Sequence, residues 1–317
     1  MLSTIKLCLA LVLALAAGAT QAQRYPNKPI HVVVPSPPGG PPDLIIRMLA
    51  PKMNLGQPLV IENRAGAGGV VGTTYVAKQP ADGYTWLFTT ASHVNTPPFN
   101  ENVPFDPVKD FTHVTLAAQN YGQALMVRPD APFTTVQQLI DEARRHPGKL
   151  NYASAGIGTA SHIPAELMKS MAGVDIVMVP YKGVAEAVTD VLAARMDMFF
   201  VGTQLAAQHA KSGKARVLAL TGAKRWKGLP DVPTMQEAGF RDYNIINWFG
   251  LWLPAGAPAE ISNQIHAELV KALADADVKS QFDQQGLEGV GMPPGEFARF
   301  VARESAFIND LARKIRK

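Results

Sequence analysis

The sequence predicts an α/β protein of two lobes, each a doubly wound, mostly parallel sheet with flanking helices. Three observations carry this prediction. Continuous apolar runs rich in β-branched residues alternate with helical patterns, the order expected of parallel sheets covered on both faces. About ten strands can be read along the chain, as many as one twisted open sheet usually holds, so two sheets with a cleft between them are expected. The 317 residues, 47% of them apolar, suffice for two ordinary domains with full cores.

The elements follow in order. Residues 7–17 (LCLALVLALAA) form an apolar run behind Lys6 that is too short to span a bilayer, and Thr20-Gln21-Ala22 fits a small-x-small cleavage site. Residues 1–22 are therefore read as a signal peptide, whose removal takes away only the charge of Lys6. Cys8, the single cysteine, goes with it, so disulfide, zinc-thiolate and cysteine-nucleophile chemistry are excluded from the mature chain. An exported protein without cysteine points to a bacterial periplasm.

Residues 30–35 (IHVVVP) read as a strand buried on both faces, and a helical pattern, DLIIRMLAPKM, opens at Asp43. A strand at 57–62, a helix at 72–79 and a strand at 84–90 come next. Strands at 114–118 and 124–127 precede a helix that Thr134 is expected to cap and that runs to Arg145. Strands at 150–154, 176–180, 197–201 and 216–221 alternate with helices at 159–171, 184–195 and 204–211. Helices at 258–274, 276–284 and 294–315 fill the tail, where Arg313, Lys314, Arg316 and Lys317 suit a helix C-terminus. Trp86, Trp248, Phe249 and Trp252 lie in apolar runs and are expected in the core.

Ligands of such sheets sit beyond the carboxyl ends of strands, and two strand-to-helix loops stand out there. The first is Ser36-Pro37-Pro38-Gly39-Gly40-Pro41-Pro42-Asp43. Its glycines allow a close backbone approach, its prolines restrict the N–H donors to Ser36, Gly39, Gly40 and Asp43, and Asp43 reads most simply as a cap. A rigid structural turn is the plain alternative. The second is Ser154-Ala155-Gly156-Ile157-Gly158-Thr159-Ala160-Ser161-His162. With no proline, every residue offers an N–H, and Ser154, Thr159 and Ser161 add hydroxyls able to donate to a carboxylate, so this loop is the stronger anion grip.

Other chemistries lack their residues. The strand after the second loop ends Val179-Pro180-Tyr181-Lys182, without the acid a dinucleotide fold needs. No GxxxxGK[ST], HExxH or GxSxG stretch occurs, so phosphate-loop, zinc-protease and nucleophile-elbow readings have no footing. No metal cluster or cofactor is read from the spacing of the seven histidines. Thirty Lys+Arg against 26 Asp+Glu, without basic blocks, make no nucleic-acid footprint. The pairs Ser92-His93 and Ser161-His162 follow predicted strands and can face the cleft, so an exported Ser/His hydrolase stays open as an alternative.

The motifs, taken in order, resemble one family. Tyr25-Pro26-x-Lys28-Pro29-Ile30 precedes the first loop; Gly56-Gln57-Pro58-x-Val60-x-Glu62-Asn63-Arg64-x-Gly66-Ala67-Gly68-Gly69 and Ala81-Asp82-Gly83-Tyr84-Thr85 follow it. Asn151-Tyr152-Ala153-Ser154-x-Gly156-x-Gly158-x-x-Ser161-His162, Val179-Pro180-Tyr181-Lys182-Gly183, Leu229-Pro230-Asp231-Val232-Pro233-Thr234 and Trp248-Phe249-Gly250 continue the pattern. The mature chain is similar throughout to the periplasmic receptors of tripartite tricarboxylate transporters, the Bug proteins. The resemblance implies a two-lobed Venus-flytrap binding protein without catalysis. Lobe 1 would comprise 23–122 and 233–317, and lobe 2 would comprise 123–232.

On that resemblance the two loops pinch a ligand carboxylate, with Ser36, Pro38, Gly39, Gly40 and Asp43 on one side. Ser154, Gly156, Gly158, Thr159, Ser161 and His162 lie on the other, and Ser92, His93, Tyr181 and Gly183 line the remaining cleft. The implied partners are a small carboxylate and the inner-membrane transporter subunits; the chain is expected to be a monomer, and presentation of ligand to a sensor is a further alternative. Three departures bear on the ligand. Ser36 stands where family members usually carry Phe, and Pro41 and Pro42 occupy positions of which one is usually Ser or Thr, which removes hydroxyl and N–H donors from the first loop. Phe199-Phe200-Val201 stands where many members have Met-Phe-Asp, so an acidic contact is missing and a ligand less polar than an amino acid or citrate is expected, an aromatic or aliphatic carboxylate.

Overall fold

The computed structural model describes residues 25–181 and 183–315 of the chain. The expected signal peptide with Cys8, Lys182, and the terminal Arg316 and Lys317 lie outside the described residues.

The first half of the chain contributes β1 (Ile30–Val34), α1 (Pro41–Leu49), β2 (Leu59–Asn63), α2 (Val70–Ala77), β3 (Thr85–Thr90), the one-turn α3 (Ser92–Asn95) and β4 (Phe111–Asn120). Next come β5 (Gln123–Val127), α4 (Val136–Arg145), β6 (Asn151–Ser154), α5 (His162–Ala172), β7 (Val177–Pro180), α6 (Val184–Leu192), β8 (Met198–Gly202), α7 (Thr203–Lys211) and β9 (Arg216–Leu220). The chain ends with β10 (Trp248–Pro254), α8 (Ala259–Ala274), α9 (Ala276–Gln284), β11 (Leu287–Gly289) and α10 (Pro294–Ile315).

These strands form a six-stranded sheet, β11-β4-β10-β3-β1-β2, and a five-stranded sheet, β7-β6-β8-β5-β9. Each is covered on both faces, as the apolar runs require. On the six-stranded sheet Ile45, Leu49, Ile265, Leu269 and Phe282 of α1, α8 and α9 pack on one face, and Val76, Val94, Phe297 and Val301 of α2, α3 and α10 on the other. The five-stranded sheet carries Leu139, Ile140, Ala165 and Met168 of α4 and α5 on one face, and Ala187, Val191, Ala206 and Ala207 of α6 and α7 on the other. Fully buried Leu, Ile, Phe and Met side chains each stabilise by about 1.5–3 kcal/mol relative to exposure.

The expectation of mostly parallel sheets holds for only part of each. β1 runs parallel to β2 and β3, and β6 parallel to β7 and β8. β10 is antiparallel to β3 and β4, β5 is antiparallel to β8 and β9, and β11 is antiparallel to β4. All antiparallel pairs except β11–β4 involve β5 or β10, the two strands reached by crossing from the other sheet. The right-handed strand-helix-strand connection that enforces parallel pairing within a sheet does not govern them.

The outward crossing is Tyr121-Gly122 and the return is residues 221–247. The two are knitted together. Thr221 Oγ1 donates to the Ile245 carbonyl and accepts the Gln123 N–H, Asn120 N–H donates to the Asn247 carbonyl, and Asn120 Oδ1 accepts the N–H groups of Gly122 and Asn247. The expected return into the first lobe at residue 233 falls too early. Thr234 bridges to Leu220, and Met235, Phe240 and Tyr243 pack into the core of the five-stranded sheet, whose face they are needed to cover. The helix expected to be capped by Thr134 is capped one residue later, by Thr135, whose hydroxyl accepts the Gln138 N–H at 3.2 Å.

Candidate functional site

The first loop leaves β1 at Ser36 and enters α1 through Pro41 and Pro42, which need no N–H partner at a helix start. Gly39, at φ +78°, makes the turn and donates its N–H to Asp43 Oδ2 at 2.9 Å. Asp43 is 2% exposed, and its Oδ1 accepts from Arg47 Nε at 2.9 Å and Asn63 Nδ2 at 3.0 Å. Burial works against the charge, but the bonds from Gly39, Asn63 and Arg47 outweigh it and hold the carboxyl below the usual carboxylate range. Two expectations are corrected here. Gly40, not Asp43, is the N-cap, and the Asp43 carboxylate, almost fully buried, spends three acceptor positions on bracing its own loop. Asn63 also bonds the Ser36 carbonyl, while the Ser36 hydroxyl is buried with no partner among the described residues. Pro38 and Gly39 are exposed and Gly40 is half-buried.

The second loop joins β6 to α5. Gly156 and Gly158 have φ +120° and +78°, conformations a side chain would strain. The Ser154 and Thr159 hydroxyls both donate to the Gly156 carbonyl, at 3.0 and 2.7 Å. Because Thr159 spends its proton there, the 2.9 Å contact with Ser161 Oγ must be donated by Ser161, which also accepts the Ala155 N–H. All three hydroxyl protons expected to reach a carboxylate are thus committed within the loop; their effect is to fix its shape. Gly158 N–H donates to His162 Nδ1 at 3.2 Å, which leaves the proton of the neutral ring on Nε2. Burial lowers the His162 pKa, consistent with that neutral form. The N–H groups of Ile157, Ala160 and Ser161 have no acceptor among the described residues. Ser161 is the N-cap of the eleven-residue α5 and Ala160 directly precedes it, where peptide dipoles favour negative charge, while Ile157 lies at the middle of the loop.

The remaining predicted residues divide. Ser92 is half-buried, accepts from Thr90 Oγ1 at 2.9 Å and stays at the carboxyl end of β3. His93 is corrected: it is 2% exposed, stacked on Phe105, edge-on to Phe111 and beside the tilted ring of Trp252, with Nε2 against the Pro107 carbonyl. Burial drives its pKa down to about 3, so it is a neutral core residue and lines no cleft. Tyr181 donates its hydroxyl to Asp190 at 2.8 Å, and burial followed by that carboxylate pushes its pKa up to about 12. Gly183 is the N-cap of α6. Among the described residues no serine hydroxyl is hydrogen-bonded to a histidine ring, and in neither Ser92-His93 nor Ser161-His162 does the ring meet the hydroxyl.

The second loop meets the other sheet's helices directly. A Cβ on Gly158 would sit 3.4 Å from Phe99 and 3.7 Å from the Asn95 carbonyl, and the His162 ring stands edge-on to Phe99 at 5.7 Å. The first loop faces a different segment. Pro41, Leu44 and Ile45 share a groove of about 400 Å³ with residues 202–205 at the start of α7, floored by Gln123, Asn247 and Phe249 near the two crossings. Gly202, Thr203 and Gln123 were not singled out in the sequence. The rule that pointed to the other loops applies to Gly202 and Thr203 as well, since they follow a strand and open a helix, but no glycine repeat or hydroxyl cluster marks them.

Residues 45–316 match the model of the tripartite tricarboxylate transporter family receptor. The chain belongs to this family. Among its relatives, a Pseudomonas sp. (strain P51) protein of the tcbD-tcbE intergenic region is 38% identical over 93% of this chain and 89% of its own length. BugT of Bordetella pertussis is 32% identical over 91% and 89%. Among solved structures, an R. palustris protein with adipate has a TM-score of 0.77 at 34% identity, covering 91% of this chain and 97% of that one. MatC from Rhodopseudomonas palustris with bound malate has 0.75 at 29% identity, covering 91% and 100%. The two mixed sheets are therefore those of the periplasmic binding proteins of the receptor family, whose members are binding proteins. No helix among the described residues is long and apolar enough to cross a membrane.

Proposed function

We propose that this receptor-family chain captures a small carboxylate between its two sheets in the periplasm and delivers it to the membrane subunits of a tripartite tricarboxylate-type transporter. The reading includes export through residues 1–22, lobes hinged at the two crossings, and a monomer that acts without catalysis. The observation that carries it is the second loop. Its hydroxyl protons are spent on holding its shape, and among the described residues the N–H groups of Ala160 and Ser161, before α5, and of Ile157, in the loop, have no acceptor, an arrangement that suits an anion and performs no bond-breaking chemistry. Relatives solved with adipate and with malate support a carboxylate as the class. Val201, buried at 4% at the end of β8, offers nothing to an ammonium or hydroxyl group and favours a ligand less polar than citrate.

Calorimetric titration of the chain from Gln23, unfolded and refolded to strip any carried ligand, tests this against mono-, di- and tricarboxylates. Ligand at a hundred times its dissociation constant should also stabilise the fold by about 2.7 kcal/mol. Binding of apolar carboxylates ahead of citrate, glutamate and aspartate is the expected result. The absence of heat and of any melting shift across the whole panel would sink the reading.

A further inference from the structure

The helices of the two sheets touch on two sides, and the contacts differ in kind. On one side α5 of the five-stranded sheet meets α10 of the six-stranded sheet. Ile163, Ile308 and Leu311 are 1%, 2% and 3% exposed there, with Phe99, Leu167 and Ile245 packed around them. Ile245 belongs to the return crossing, so this apolar contact is continuous with the path between the sheets. On the other side α7 and the return segment meet the end of α9 and β11, and the contacts are polar and exposed. Gln204 Nε2 donates to the Gln284 carbonyl at 2.7 Å, Lys227 Nζ lies 2.8 Å from Asp283 Oδ2, and Lys224 Nζ lies 3.9 Å from Glu288 Oε1. The Lys227 and Asp283 side chains are 64% and 62% exposed. Trp226 adds an apolar touch, but it rests on Gly286, which has no side chain to interlock with the ring; a Cβ there would sit 3.5 Å from it. The Trp226 indole N–H has no partner among the described residues, so it adds no bond across the gap.

Parting the sheets on the first side would bring three buried apolar side chains into water, at a cost that grows with the area uncovered. Parting them on the second exchanges an amide hydrogen bond for one to water and separates ion pairs that solvent already screens, which costs little. We propose, resting on the two-lobed receptor reading above, that the lobes part on one side only. The α5–α10 contact stays packed and serves as the pivot, while Gln204–Gln284 and Lys227–Asp283 form a latch that opens and shuts. The groove between α1 and α7 lies on the latch side, since Gln204 and Gly286 line it. Because the latch is ionic and exposed, the balance between open and shut forms depends on ionic strength, and the pivot, being apolar, does not respond to it.

Distances between pairs of spin labels test this, and the chain from Gln23 contains no cysteine to compete for the label. One pair, Gln208→Cys with Gln281→Cys, reports across α7 and α9; the other, Met171→Cys with Asn309→Cys, reports across α5 and α10. All four residues are exposed, so the labels leave the core untouched. In about 1 M salt, where the screening length falls to about 3 Å, the first distance should lengthen by several ångströms while the second stays unchanged. Asp283→Lys at low salt should lengthen the first distance in the same way, and adding Lys227→Asp to it should restore the parent distance. A melting temperature equal to that of the parent excludes misfolding in each variant. A first distance that ignores both salt and Asp283→Lys overturns the proposal. So does a second distance that lengthens along with the first, or a charge swap that restores nothing. These measurements need no ligand, so the latch can fail while calorimetry still finds a bound carboxylate, and the receptor reading can fail while the latch still moves.

Discussion

His93 follows a predicted strand beside a serine, the sequence setting of a general base, yet it is a core residue. Spacing cannot tell which side of a one-turn helix faces inward, and the rings that enclose it, Phe105, Phe111 and Trp252, arrive from distant positions. Its burial has a thermodynamic consequence. The folded state keeps His93 neutral down to about pH 3 and His113, also buried, down to about pH 4, whereas an unfolded histidine takes up a proton near pH 6.5. The unfolded state thus binds more protons as pH falls below 6.5, so the stability from these residues is complete above that pH and is lost on acidification. Each histidine contributes a slope of up to about 1.4 kcal/mol per pH unit. His93→Phe, which keeps the stacking, should flatten the fall in melting temperature between pH 6.5 and 4.5; an unchanged slope in a pH series of thermal melts would contradict this. Asp43 teaches the same lesson. Its position near the helix start is legible, and so is Arg47 one turn on in the same helix, but the claim of Asn63 on its carboxylate depends on β2 lying beside β1.

Most strands can be read because short apolar, β-branched runs look the same wherever they occur, and the sequence pattern places β1 to β9 within a few residues of their ends. The exceptions have physical reasons. All seven residues of β10 are buried, so no alternation marks it, and its sequence WFGLWLP contains no β-branched residue, with Gly250 at a point where a Cβ would strike Phe297 and Trp252. β11 is three residues long and exists only through its pairing with β4. Helix α10 had been read with its ends in the right places, but its amphipathic pattern does not say that its two halves serve different sheets. Its first half packs on the six-stranded sheet through Phe297 and Val301, while Ile308 and Leu311 pack against Ile163 of α5. That small cluster joins the C-terminal helix to the element carrying the second loop. Ile308→Ala should cost about 2–4 kcal/mol if the two sheets unfold together. Urea unfolding followed by tryptophan fluorescence and by circular dichroism would reveal this as one shifted transition; two separated transitions would mean that the contact is all that couples the sheets.

At the scale of the molecule, the arrangement of two sheets was legible from the number and spacing of strands, while the path between them was not, because it is fixed by side chains that pair across about a hundred residues. Gly122 is the tightest point of that path. At φ +92° it lies against Thr221 Oγ1, the Gly222 N–H and the Ile245 carbonyl, with no room for a methyl group. Gly122→Ala should destabilise by about 3 kcal/mol or more, since strain and a clash with backbone add. A melting temperature within a degree or two of the parent would show that the turn at Gly122 accommodates a methyl group. The same path governs how the molecule is assembled as it is made. Strands β5 to β9 are contiguous, so the five-stranded sheet is complete once residue 220 has been synthesised. The six-stranded sheet is not: β10 lies between β3 and β4, which do not pair with each other, and β4 has no neighbour until β10 and then β11 arrive. For the time it takes to make more than a hundred further residues, an apolar ten-residue strand waits with both edges bare. A ribosome that stalls before Trp248 would therefore release a chain with one finished half and one half primed to stick to its neighbours.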